Sequence, residues 1–223
     1  MKTVALFDEV LKRPEAALAS LGSPDWRGRA LRLFIGSVLA IAFYGAVAGL
    51  FDGQALLALW KAPLIVLLAV ALCAPSLYVL SAIVGRDLEL RVFAGALAGF
   101  LASLAILLVA LLPIGWLFSV SSRSLVSVVW LHGVLGFLAI ALAARFLGRL
   151  FAGYGGTLTL WVLLLLLVVL QATTVLRPVL SRAPGAPLFE SRKLFFFEHL
   201  GEIVRDEEAA AKAAQAANAP PVR

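Results

Sequence analysis

The chain has 223 residues, of which 62% are apolar and only 14% charged, and its mean hydropathy is +1.01. That balance excludes an ordinary soluble domain and describes an integral membrane protein. The net charge of +6 does not point to nucleic acid, because the 19 basic residues are scattered over the ends and short loops and form no stripe or recognition motif; anionic lipid headgroups account for them.

Residues 1–25 read as an amphipathic surface segment. Leu6, Phe7, Val10 and Leu11 cluster at helical spacing between Asp8, Glu9, Lys12 and Arg13, which predicts a short helix lying against headgroups. Eight or more charges precede the first long apolar run, so that run is expected to be a retained helix and not a cleaved signal. In "SPDW", Ser23 is placed to cap the next helix and Pro24 to occupy its first turn. Trp26 suits interfacial depth there, and Arg27, Arg29 and Arg32 hold this end on the cytoplasmic side.

Five apolar runs follow, each long enough to cross about 30 Å of hydrocarbon as a helix of roughly 20 residues. They cover 32–51, 61–84, 93–118, 125–147 and 157–176. The predicted fold is all-α: a polytopic transmembrane helix bundle over residues 26–178, with short amphipathic helices at both ends.

In the first run Gly45 and Gly49 share a face and permit close helix packing. The second holds Cys73, the only cysteine of the chain, which excludes an intramolecular disulfide and reads as a small buried hydrophobe. Pro75 predicts a kink, with Ser76 or neighbouring groups satisfying the backbone it frees, and Tyr78 adds local polarity. Gly95, Gly99 and Ser103 repeat every four residues in the third run, a stronger packing signal than one glycine pair, while Pro113, Gly115 and Trp116 mark its interfacial end. The fourth run carries His132 near its start. The fifth carries Gln171 and Thr174 on a similar face, where hydrogen bonds to a neighbouring helix are expected.

Between the second and third runs, "GRDLELR" concentrates Arg86, Asp87, Glu89 and Arg91 in a loop that suits a partner. With a cytoplasmic N-terminus, ten basic residues fall inside and six outside, the six including Lys61. Residues 179–208 contain Phe196, Phe197, Leu200, Ile203 and Val204 on one broad face, an interfacial helix or one docked on the protein or a partner; residues 209–223 read as a disordered tail.

Chemistry inside a membrane needs convergent polar groups, and the sequence holds few: His132, Gln171, Thr173, Thr174, Ser76 and Tyr78. There is no HExxH, no histidine–cysteine cluster, no Walker loop and no GxGxxG, so no catalytic, metal or cofactor site is expected. For His132 the reading is a hydrogen-bonding or interfacial role.

The polar segment before Arg32, five closely spaced hydrophobic helices and the short loop "GRDLELR" resemble the Yip1-like membrane proteins over residues 25–178, and "APSLYVLSAIVG" resembles a second-helix segment of small bacterial multispanning proteins. The trafficking activity of the family's eukaryotic members does not carry over to a bacterial relative, and no catalytic residue comes with the resemblance; the chain is expected in a bacterial cytoplasmic membrane. The small-residue ridges and the amphipathic segments at both ends offer contact surfaces while catalytic groups are sparse, so the expected function is a non-enzymatic scaffold or accessory subunit whose partners are the bilayer and a membrane protein or a second copy. The alternative is a small transporter, in which Pro75, Ser76, Tyr78, His132 and Gln171 would face a shared cavity.

Overall fold

A chain segment in hydrocarbon must satisfy every backbone N–H and C=O internally, which leaves the long apolar runs only the helix. A computed structural model describes residues 3–21, 23–122, 124–151 and 153–175, with the separate positions Glu198, Gly201, Val204, Arg205, Ala209 and Lys212. Two short helices, α1 (Thr3–Lys12) and α2 (Pro14–Leu21), precede five long ones: α3 (Trp26–Ala48), α4 (Ala55–Ile83), α5 (Leu90–Ser121), α6 (Leu125–Gly148) and α7 (Gly155–Val175). All five are long and apolar enough to cross a membrane. The five expected runs are thus all helices, and the all-α class holds among the described residues.

Several boundaries differ from the sequence expectation. Helix α3 takes in Arg27, Arg29 and Arg32, and a 3-10 turn over Gly49–Asp52 completes it. Ser23 does not cap α3: its hydroxyl turns back to the Ser20 carbonyl at 2.7 Å, and Asp25 is the N-cap without a side-chain bond. Helix α5 runs past the expected 118 to Ser121, with Pro113 inside it. At 32 residues it is about 48 Å long, more than the hydrocarbon thickness, so it tilts or projects. Helix α4 starts at Ala55, which puts Lys61 nearly two turns inside a helix where the charge count had placed it in an aqueous flank.

The five spans form a ring in the order α3, α5, α6, α7, α4 and back to α3, each packing chiefly on its two neighbours. Side chains fill the interior. Ile41, Cys73, Leu77, Phe100, Leu104, Ala139, Ala143, Trp161 and Leu165 belong to one buried cluster, and the Phe100 and Trp161 rings meet edge to face at 5.7 Å across it. Lipid tails are as apolar as leucine, so what holds such helices together is close approach and interhelical hydrogen bonds. Gly45 supplies the first: a Cβ there would strike the Ala62 Cβ and the Ala58 carbonyl of α4. Gly49 lies against Ala58 in the same way.

The small-residue ridge of α5 serves three separate contacts. Gly95 seats Leu21 of α2, Gly99 seats the ring of Phe146 of α6, and the Ser103 hydroxyl donates to the Gly99 carbonyl at 2.9 Å. Helices α1 and α2 are drawn onto the bundle through such seats. Leu6, Val10, Ala17 and Leu21 form a second core with Ala30, Leu33, Ala98, Ala102 and Phe146, and the Phe7 ring covers Gly36. The apolar face that the sequence offers to headgroups is therefore largely covered by protein, and Val4 and Leu11 form the outward edge.

Helix α4 ends where the charges begin. Gly85 adopts φ 73°, and the N–H groups of Gly85 and Arg86 return to the carbonyls of Ala82 and Ser81, both at 2.9 Å. This is the paired closure that a left-handed glycine permits at a helix C-terminus. Leu88 then tucks against the main core, which anchors the loop while its charged residues stay outside. At the C-terminal end, Glu198, Gly201, Val204 and Arg205 are helical, as are Ala209 and Lys212. The expected apolar face of Phe196, Phe197, Leu200 and Ile203, and residues 213–223 of the expected tail, lie outside the described residues.

Gly45→Ala should lower stability by about 1–3 kcal/mol, because the new methyl meets backbone that cannot swing away. Gly99→Ala meets only the far end of a phenylalanine ring and should cost less, and Gly133→Ala, with open space around it, should be neutral or stabilising. Thermal unfolding in a mild detergent orders the three.

Candidate functional site

The up-and-down connection brings the C-terminal ends of α3 and α5 to the same side of the ring as the N-terminal ends of α4 and α6. Tyr44, Lys61, Ser119 and the partly buried His132 lie toward that side. On α3, Tyr44 follows Ser37 and Ile41 along the inward face; on α5, Ser119 lies one turn beyond Gly115; on α6, His132 lies about 10 Å along from Leu125. The Tyr44 hydroxyl is 2.9 Å from His132 Nδ1 and the Ser119 hydroxyl 3.0 Å from Nε2. The two rings stand edge to face at 5.6 Å. Gly115 makes room for the imidazole, since a Cβ there would lie 3.0 Å from Cε1.

One imidazole thus bridges three spans through both nitrogens. A neutral imidazole has one donor and one acceptor nitrogen, and each hydroxyl can give or receive, so either tautomer is satisfied. The order Ser119, His132, Tyr44 also resembles a nucleophile, a base and an orienting group. Ser119 is only 2% exposed, and its hydroxyl joins α5 to α6. His132 thus makes hydrogen bonds through both ring nitrogens, and its partners Tyr44 and Ser119 were not singled out by any sequence pattern.

Lys61 is the second ionisable group at this end. It is completely buried, and its ammonium lies 5.7 Å from the centre of the neighbouring Trp60 ring. Its turn of α4 also carries Ala58 and Ala62, which face Gly45, so Lys61 is at the depth of Tyr44. An ionisable side chain inside a span is costly unless paired or facing water, and the sequence alone sets Lys61 at the edge of the second run, among the outer charges.

A second interhelical bond lies at the proline of α4. Pro75 has no N–H, and two residues before it the Cys73 carbonyl accepts from both the Ser76 hydroxyl at 2.7 Å and the Trp161 indole N–H of α7 at 2.8 Å. Trp161 is wholly buried, and a buried indole needs such an acceptor. A tryptophan inside an apolar run, with an indole N–H to satisfy, was the available signal.

Two of the remaining expected residues face away from the interior. Pro75 and Tyr78 are exposed on the outer face of α4, with Tyr78 edge to face against Phe93 at 5.2 Å. A cavity shared by Pro75, Tyr78 and His132 is therefore not what these positions form, because the helical period turns the first two outward. Cys73 is buried, and the two nitrogens of His132 are engaged by Tyr44 and Ser119 instead. Gln171 is half-buried on α7, and the Thr173 hydroxyl returns to the Leu170 carbonyl at 2.6 Å. Thr174 lies in α7, but its side chain is outside the described residues. Arg86, Asp87, Glu89 and Arg91 are all exposed at the opposite end of the ring, with Glu89 and Arg91 ion-paired. Among the described residues no group of three His, Cys, Asp or Glu side chains comes together.

No protein-family model matches the chain, and no curated protein or solved structure matches it either.

His132→Ala should destabilise the protein by about 1–3 kcal/mol, because two buried hydroxyls lose their partner at once. Tyr44→Phe should cost less, about 0.6 kcal/mol, the usual worth of one interhelical bond in a membrane. If the two hydroxyls act through one imidazole, Tyr44→Phe and Ser119→Ala will each have a smaller effect in the His132→Ala background, a coupling that thermal unfolding of the single and double variants resolves.

Proposed function

We propose that the chain is an integral membrane scaffold or accessory subunit, non-enzymatic, that organises protein and lipid contacts in the bilayer. The observation that carries this reading is the use made of polar side chains in the spans. Tyr44, Ser119, His132 and Trp161 bond helix to helix, and Ser37, Ser76, Ser81 and Ser103 bond to their own backbone, around an interior filled by Phe100, Trp161 and aliphatic residues. Such an arrangement supports a packed body that acts through its surface. The exposed, mixed-charge loop Arg86–Arg91, held by Leu88, is the part best placed to meet a partner. Kinship with the Yip1-like proteins, resting on five close-set spans and this loop, belongs to the same reading.

The same reading puts the N-terminus in the cytoplasm of a bacterium. Lys12, Arg13, Arg27, Arg29, Arg32, Arg86, Arg91, Arg145 and Arg149 share the N-terminal end of the ring, and Lys61, once counted against this orientation, is buried within the spans. That supports the orientation by the positive-inside rule.

Lys61 favours a second reading, a small transporter, since buried ionisable residues mark ion and substrate paths. The two readings separate experimentally. Purification from native membrane after mild crosslinking should recover a stoichiometric membrane-protein partner, and reversing the loop charges with Arg86→Glu and Asp87→Arg should reduce its recovery without loss of fold. Repeated isolation of the chain alone, together with flux into vesicles that Lys61→Met abolishes, would decide for transport.

A further inference from the structure

We propose that the corner between α6 and α7 is a binding site for the phosphate of an anionic phospholipid, held by Arg145 and Arg149. Between Glu89 and Glu190 the sequence contains no aspartate or glutamate, so neither arginine has an acidic neighbour along its own helix or the next one. Both are exposed, one turn apart at the C-terminal end of α6. Arg149 donates through a guanidinium nitrogen to the Arg145 carbonyl at 3.0 Å, which folds it back along the helix toward Arg145. The acidic groups at this end of the ring belong to other elements: Asp8, Glu9, Glu15 and Asp25 around α1 and α2, and Asp87 and Glu89 in the loop. Of these, Asp8 is ion-paired with Lys12 and Glu89 with Arg91. Two like charges at i and i+4 repel each other unless an anion lies between them.

The surroundings select a lipid over a free anion or an acidic protein. Along α6 toward the middle of the membrane, the exposed residues are Leu138, Phe137, Val134 and Trp130, an apolar surface for acyl chains directly below the arginines. Tyr154, 41% exposed, stands in the connection to α7, where an amphipathic ring suits headgroup depth. The backbone turns sharply there, with Gly153 at φ 89°, and α7 starts two residues later at Gly155, so the connection is short. A phosphate above two alkyl chains matches all three features. A basic residue at a membrane surface is worth a factor of about 5 in attraction to an anionic headgroup, so two give about 30-fold.

The site rests on membrane residence alone and is independent of any scaffold role, so recovery of a protein partner has no bearing on its test. The full-length protein in a zwitterionic detergent would be titrated with short-chain phosphatidylglycerol or phosphatidylcholine, with thermal stability and native mass spectrometry as readouts. The expected result is preferential retention of phosphatidylglycerol, about 30-fold weaker in Arg145→Gln/Arg149→Gln and largely kept in Arg145→Lys/Arg149→Lys, which preserves the charge. Arg27→Gln, on a different part of the same end, should leave retention unchanged. Equal retention of the two lipids by the unaltered protein would overturn the proposal, as would full competition by millimolar inorganic phosphate. So would an unchanged preference in the glutamine variant.

Discussion

Helices that share a lipid environment gain nothing from leaving it, so the architecture depends on how closely the spans can approach one another. Helix α3 is where that constraint is met. Gly45 and Gly49 let α4 lie against it, Gly36 seats α1 through Phe7, and it packs along α5 as well. Around this helix the ring closes through Gly99 with Phe146 and through the Trp161 indole on α4. A ring of five helices would leave its axis empty unless large side chains met there, and Phe100 and Trp161 do so.

The two ends of the ring then have different characters for one reason, the direction in which each helix runs. One end collects Tyr44, Lys61, Ser119 and His132, all within the spans, and its polarity is turned inward as bonds between helices. The other collects the N-terminal hairpin, the α4–α5 loop and the α6–α7 corner, and its polarity is turned outward as exposed charge. A body built this way has a charged rim at one surface and a filled interior.

Much of the fold was legible along the chain. Each apolar run was long enough to span, and hydrocarbon allows such a run only a helix, so five spans followed without knowledge of any contact. The exit of α4 at Gly85 was legible too, because apolar residues give way there to four charges within six positions and glycine alone takes the left-handed turn easily. Boundaries were less so. Pro113 looked like an end because proline lacks an N–H, yet neighbours in a bundle tolerate it, and Lys61 looked like a flank because a lysine inside a span is costly.

The sequence by itself determined the solvent, the number of spans and the small residues at which backbones approach, since all of these depend on local composition and helical period. Only the tertiary structure decided which side chains meet. That His132 finds Tyr44 and Ser119, that Trp161 finds the Cys73 carbonyl, and that α1 docks on Gly36 instead of lying free on the bilayer follow from the ring order of the helices. Ring order is a property of packing between segments distant along the chain, and the hydropathy of each segment, nearly the same for all five, carries no trace of it.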